Sequence, residues 1–202
     1  MAPRYDVPRL RLPRASKPFR VVLSPTDFHW GKRGVDGYDR ETARARLFGT
    51  TDRLLDRIVH RGAPEQILLM LGSDGLHIDN ARSETTRGTP QDCDGSPEEL
   101  ASSWVMLCAE YVDHVRQVAP VRVHVIPGNH DAYTSVLLRT ALSGWFRHAD
   151  DVEVIPDLSS RQYYRYGRSL LVFLHGDVGK ARDWVELAAE EARSEWGETD
   201  RT

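Results

Sequence analysis

Val121-Arg-Val-His-Val-Ile126 runs directly into Pro127-Gly128-Asn129-His130-Asp131. The first six residues place a β-branched side chain at every second position, which reads as a strand. The Pro-Gly pair ends it, so Asn129, His130 and Asp131 fall on a loop at the strand's carboxyl end. In an open α/β sheet that edge is where ligands bind. An amide oxygen, an imidazole and a carboxylate in succession make a ligand-grade set. The same three residues also suit a helix start, with Asn129 or Asp131 as N-cap.

Three more apolar runs end in the same way. Phe19–Ser24 leads into a turn carrying Asp27, His29 and Lys32. Gln66–Leu71 is apolar without interruption, the pattern of a strand buried on both faces in a parallel sheet. It opens onto Gly72-Ser73-Asp74-Gly75-Leu76-His77-Ile78-Asp79-Asn80. Ser169–Leu174, the second arm of a hairpin turning at Gly167-Arg168, delivers His175-Gly176-Asp177. The polar run from Gly72 to about Gly95, with Arg87 in it, is long for a compact domain, and such runs are usually functional.

Helical spacing predicts helices over Asp39–Arg61, Ser96–Gln117, Thr134–His148 and Ala181–Glu195, with a short strand at Val152–Ile155. Strands alternating with helices imply parallel crossovers and a layered α/β fold. Parallel strands put their carboxyl ends on one edge, so this fold would gather Asp27/His29, Asp74/His77, Asn129/His130 and His175/Asp177 into one site. Oxygen donors mixed with imidazoles suit divalent manganese, iron or zinc better than calcium. The set exceeds what one ion needs. Two cations about 3.5–4 Å apart, clamping a phosphate, account for the surplus.

Bulk properties set outer bounds. A chain of 202 residues with 40% hydrophobic and 28% charged residues fits one globular domain, and a net charge of −3 names no partner. Residues 1–17 read as a flexible, basic, proline-punctuated arm (Arg4, Arg9, Arg11, Arg14, Lys17), either a solvated tail or an arm that touches phosphate or an acidic surface. Cys93 and Cys108 form neither a disulfide framework nor a CxxC pair, which suits a reducing cytoplasm. No apolar run approaches the roughly 18 residues that cross a membrane, and the amino terminus lacks a signal peptide's apolar core. The expected location is cytoplasmic, with no membrane partner.

Asp27-x-His29-x-Gly31, Gly72-Ser73-Asp74, Gly128-Asn129-His130-Asp131 and His175-Gly176 resemble the first four motifs of the calcineurin-like metallophosphoesterases. Asp74-Gly-Leu-His77-x-x-Asn80 is similar to the second motif of the family's double-strand-break-repair nuclease branch. Thr85–Asp92 resembles that segment in phage- or prophage-borne relatives described as DNA-repair exonuclease-like. The resemblance implies a metallophosphoesterase-type β-sandwich flanked by helices over residues 18–202. It also implies two divalent metal ions, manganese first and iron or zinc as alternatives. Asp27 and His29 would bind the first ion, Asn129 and His175 the second, and Asp74 both. His130 would meet the leaving oxygen or a phosphate oxygen, and His77 would steady the phosphate or else pack the loop. Hydroxide held between the metals would attack a phosphodiester in nucleic acid, with Lys32 and Arg87 as substrate contacts. A phosphomonoester or small nucleotide is the alternative substrate.

Two departures qualify what is implied. The family's second motif is Gly-Asp, whereas Ser73 precedes Asp74 here. The fifth motif, Gly-His-x-His, is absent before Thr202. The implied domain is therefore partial, its second sheet incomplete at the C-terminus and its metal affinity reduced. Truncation, a partner chain that completes it, or loss of catalysis would each account for this. Outside the motifs, His60, His114 and His148 read as surface residues, His124 as structural, and Trp104, Trp145 and Trp184 as core. The hairpin tyrosines Tyr163, Tyr164 and Tyr166 read as packing.

Overall fold

The run 66–72 holds an uninterrupted apolar stretch, 67–71, because both of its faces are covered. In the computed structural model, which describes residues 7–177 and 179–199, this run is strand β2 (Gln66–Gly72). It lies between β1 (Arg20–Leu23) and β3 (Val121–Ile126), and β4 (Val152–Val154) follows, all parallel in the order β1-β2-β3-β4. Each crossover carries a helix: α1 (Arg40–Val59), α2 (Pro97–Val115) and α3 (Ala132–Trp145). The strand order never reverses, so crossovers of one hand put all three helices on one face. Consistent with this, Ile67, Leu69 and Leu71 share one core cluster with Leu55 of α1, Trp104 and Val112 of α2 and Leu138 of α3.

Alternate residues of the same strand face the other way. Leu68 and Met70 pack with Ile126 and with Tyr164 and Phe173 of an antiparallel hairpin, β5 (Arg161–Tyr166) and β6 (Ser169–Leu174). The result is a mixed α/β chain with a four-stranded parallel sheet, helices on one face and a two-stranded sheet on the other. Burying each such Leu is worth about 1.5–3 kcal/mol. β2, central and fully covered, anchors the loop that follows it.

Local chemistry explains the helix starts. Asp39 caps α1 by accepting from the Thr42 N–H at 2.9 Å. α2 opens with a capping box in which Ser96 and Glu99 bond each other's backbone N–H, with Pro97 at its first turn. Elsewhere the boundaries differ from expectation. α3 starts at Ala132, two residues earlier than the spacing predicts, and stops at Trp145, which is 42% exposed rather than core. The last predicted helix breaks at Ala192 (φ −118°, ψ 48°) into α4 (Ala181–Glu191) and α5 (Arg193–Gly197).

Of the basic amino-terminal arm, Arg4 and the rest of residues 1–6 lie outside the described set. Arg9–Arg14 run along the body. Leu10 N–H donates to the Gln117 carbonyl at 2.7 Å, Ala63 N–H donates to Pro13 at 2.8 Å, and Arg9 pairs with Asp151 at 3.0 Å.

His124, at 1% exposure, ties the hairpin to the sheet. Its Nδ1 lies 2.8 Å from Gln162 Oε1, and Gln162 Nε2 donates to Val125 and Asp157 carbonyls at 3.1 and 3.2 Å. An amide oxygen only accepts, so Nδ1 carries the proton and Nε2, which has no hydrogen-bond partner, is the bare nitrogen. Burial lowers the His124 pKa from its ordinary 6.5. Above that value both folded and unfolded chains are neutral at this position. As pH falls below it, the unfolded chain takes up a proton that the folded chain refuses, and stability is lost. The unfolding free energy is expected to fall between pH 6.5 and 5, by at most about 1.4 kcal/mol per pH unit from this group. In His124→Asn that slope should be shallower, His29 and His77 being common to both proteins. Equal slopes in urea titrations would contradict the assignment.

Candidate metal centre

Past their last paired residues, β1 and β2 continue side by side as loops. Asp27 N–H donates to Ser73 O and His29 N–H to Asp74 O, both at 2.9 Å, and Trp30 N–H donates to Gly75 O at 2.7 Å. His77 N–H returns the contact to Trp30 O at 3.1 Å. The path requires left-handed backbone at Asp27 (φ +57°), His29 (+47°), Ser73 (+54°) and Asp74 (+60°). For residues with a Cβ this conformation costs about 1–2 kcal/mol each. Strain concentrated in two loops that carry the candidate ligands points to a function for them.

The loop after β3 closes on the same place. A Cβ at Gly128 would sit 2.1 Å from Asp74 Oδ1 and 2.3 Å from Asp74 N, so only glycine permits this approach. Asp131 locks it. Its side chain does not cap α3. Instead one oxygen accepts from Gly128 N at 2.9 Å and Asp74 N at 3.2 Å, the other from Gly75 N at 2.9 Å and Leu76 N at 3.3 Å. Burial pushes the Asp131 pKa up to about 6 while the backbone amides pull it back down. The cap for α3 comes from Asp79, whose carboxylate accepts from Tyr133 N at 3.0 Å and Thr134 N at 2.7 Å.

These backbones bring seven predicted residues together. Asp27 Oδ1 lies 3.2 Å from His29 Nε2, His29 Nδ1 lies 3.2 Å from His77 Nδ1, and the His77 and His130 rings stack at 5.3 Å. On the other side His175 Nε2 is 2.9 Å from Asn129 Oδ1 and 3.4 Å from Asp74 Oδ2. Asp74 joins the halves, its Oδ1 accepting from the His130 N–H at 2.8 Å. Two groups, Asp27/His29/Asp74 and His29/His77/His130, have ligand atoms within 4.8 Å of one another and can hold a metal ion.

The donor set fits such an ion on distance as well as on type. Ligands about 2.0–2.2 Å from a metal and at right angles to each other are about 3 Å apart. The contacts at Asp27–His29, His175–Asn129 and His175–Asp74 span 2.9–3.4 Å. Protonation is suitable too. Burial, then the neighbouring His130, lowers the His29 pKa, and burial, then His29 and His130, lowers that of His77 to about 4. Neutral imidazoles keep a lone pair for a cation.

His130 Nδ1 lies 3.0 Å from the His77 carbonyl, which only accepts, so Nδ1 carries a proton and Nε2 is left for other chemistry. Ser73 does more than shape its turn. Its Oγ is 2.8 Å from His175 Nδ1 and so orients the ring whose other nitrogen faces Asn129 and Asp74. Lys32 is exposed beside Asp27 and His29 in one groove. Arg87 is exposed on a loop that touches the centre through its backbone, where Thr86 N–H donates to the Asn129 carbonyl at 3.3 Å. Asp177 is exposed, and α4 is capped at Lys180.

Asp79, Asp131 and Ser73 are the functional supports that sequence reasoning misses. Asp131 carries a visible signal, directly following His130, but it reads equally well as a cap. No family model matches this chain, and no curated protein matches it. Among the described residues no helix is long and apolar enough to cross a membrane.

Proposed function

We propose that the chain is a dinuclear metallophosphoesterase of the calcineurin-like class, acting in the cytoplasm on phosphodiesters of nucleic acid. The observation that carries this reading is the convergence of Asp27, His29, Asp74, Asn129, His130 and His175 from four separate strand ends. Asp27 and His29 would hold one divalent ion, Asn129 and His175 a second, and Asp74 has an oxygen for each. Manganese, iron and zinc all suit the donors. When bound, such a pair supplies positive charge for phosphate oxygens and lowers the pKa of water.

The remaining steps belong to the side chains. His130, held through Nδ1 on the His77 carbonyl, presents Nε2 to the leaving oxygen. A proton taken up from solvent on Nε2 passes to that oxygen as its bond to phosphorus breaks, which returns the ring to its neutral form. His77, kept neutral by burial, shapes the pocket wall and meets a phosphate oxygen only through its ring N–H. Lys32 and Arg87 add charge at the rim. In this reading the parallel sheet and the hairpin are the two layers of a metallophosphoesterase sandwich.

With millimolar manganese, the wild-type chain is expected to hydrolyse bis-p-nitrophenyl phosphate faster than the matching monoester. His130→Ala should turn the diester over at least about 100-fold more slowly. Equal inertness of the two proteins toward both esters would refute catalysis, and a faster monoester would shift the substrate class.

A second reading, a subunit completed by a partner chain, is favoured by the hairpin sheet having only two strands. That leaves its outer edges without strand partners among the described residues. Well under one equivalent of metal in the isolated chain would support that reading over an autonomous enzyme.

A further inference from the structure

A groove of about 490 Å³ is lined by the candidate ligands Asp27 and His29 together with Lys32, Tyr38 and Arg46. Its size lies within the roughly 300–1,000 Å³ that ligand sites span. The wall is built by the turn after β1. Gly34 N–H donates to the Tyr38 carbonyl at 2.9 Å, and Asp39 then caps α1. Arg46, two turns into α1, places its guanidinium 5.2 Å from the centre of the Tyr38 ring.

The charges here differ from those elsewhere on the same helix. Arg40 and Arg44 are neutralised by Asp94 and Glu110. Among the described residues, Arg46 and Lys32 form no ion pair with a carboxylate. Asp36 also lines the groove, so its polarity is mixed, but the two cations share its lining with the candidate ligands Asp27 and His29.

We propose that this groove holds the nucleotide adjoining the scissile bond, with Lys32 and Arg46 on its phosphate and Tyr38, braced by Arg46, as a platform for its base. The preferred substrate is then a single-stranded oligonucleotide, because a base must be unpaired to stack on a protein ring. This inference rests on the phosphodiesterase reading for its place in catalysis but is testable without turnover.

Binding of a fluorescent oligothymidylate to the metal-free chain, in chelator and over a range of salt, is the direct readout. Lys32→Ala/Arg46→Ala is expected to bind at least about tenfold more weakly, with a slope of log K against log salt shallower by about 1.4, two phosphate contacts at about 0.7 each. Tyr38→Leu should weaken binding at least about fivefold through lost stacking. Arg53→Ala, an exposed charge elsewhere on α1, controls for net charge and should match wild type. In the presence of manganese, the ratio of oligonucleotide to bis-p-nitrophenyl phosphate turnover should fall at least tenfold in the double variant. Wild-type-like binding by the double variant, or equal losses on both substrates, would overturn the groove. Tyr38→Leu binding like wild type, with inorganic polyphosphate competing as well as the oligonucleotide, would overturn the base platform. A wild type that binds the oligonucleotide as described yet hydrolyses neither substrate would instead defeat the catalytic reading alone.

Discussion

Asp131→Ala is expected to remove about 3–5 kcal/mol of folding stability, a large share of the roughly 5–15 kcal/mol that holds a domain together. The carboxylate is buried at 1% exposure and accepts from four backbone N–H groups, those of Gly128, Asp74, Gly75 and Leu76. Alanine leaves all four without their acceptor. Each buried, unsatisfied donor costs about 1–3 kcal/mol, but the four share one carboxylate, so their losses do not add. Asp131→Asn keeps one oxygen and should lose about 2–3 kcal/mol. Urea unfolding measures both. A loss below 1 kcal/mol for the alanine variant would show that the loops after β2 and β3 are held together by something else.

The largest functional effect is expected at Asp74. Asp74→Asn keeps the shape and an oxygen for the His130 N–H, so stability should stay within about 1 kcal/mol of wild type. What it removes is the negative charge that links Asp27 and His29 on one side to Asn129 and His175 on the other. Manganese-dependent diester turnover should drop about 10³-fold or more, roughly 4 kcal/mol in the barrier. Retention of a tenth of the wild-type rate would exclude Asp74 as the shared ligand.

Much of this site can be read from the chain because its candidate ligands sit at strand ends, where local pattern is strong. Uninterrupted apolar runs such as 66–71 and alternating ones such as 121–126 announce strands, and the polar residues after them fall where parallel pairing brings them together. The supports are harder to read because their partners are remote. Asp79 caps a helix 54 and 55 residues away, Asp131 binds amides 55–57 residues away, and Ser73 meets His175 across 102 residues. Nor does composition reveal left-handed backbone at Asp27, His29, Ser73 and Asp74, where long-range hydrogen bonds impose a conformation that glycine usually marks. Arg46 looks like one more solvated helix cation until the turn at Tyr38 folds against it. Trp145 reads as core by type, yet it ends its helix and faces outward. The break at Ala192 has no Gly or Pro to announce it.

The proposed two-cation centre is tested most directly by counting metal. Wild-type chain and Asp74→Asn, each loaded with manganese and passed through a desalting column, should be compared by elemental analysis. Wild type is expected to retain about two equivalents and the variant fewer than one. Two equivalents retained by both proteins would contradict Asp74 as the ligand that the two ions share.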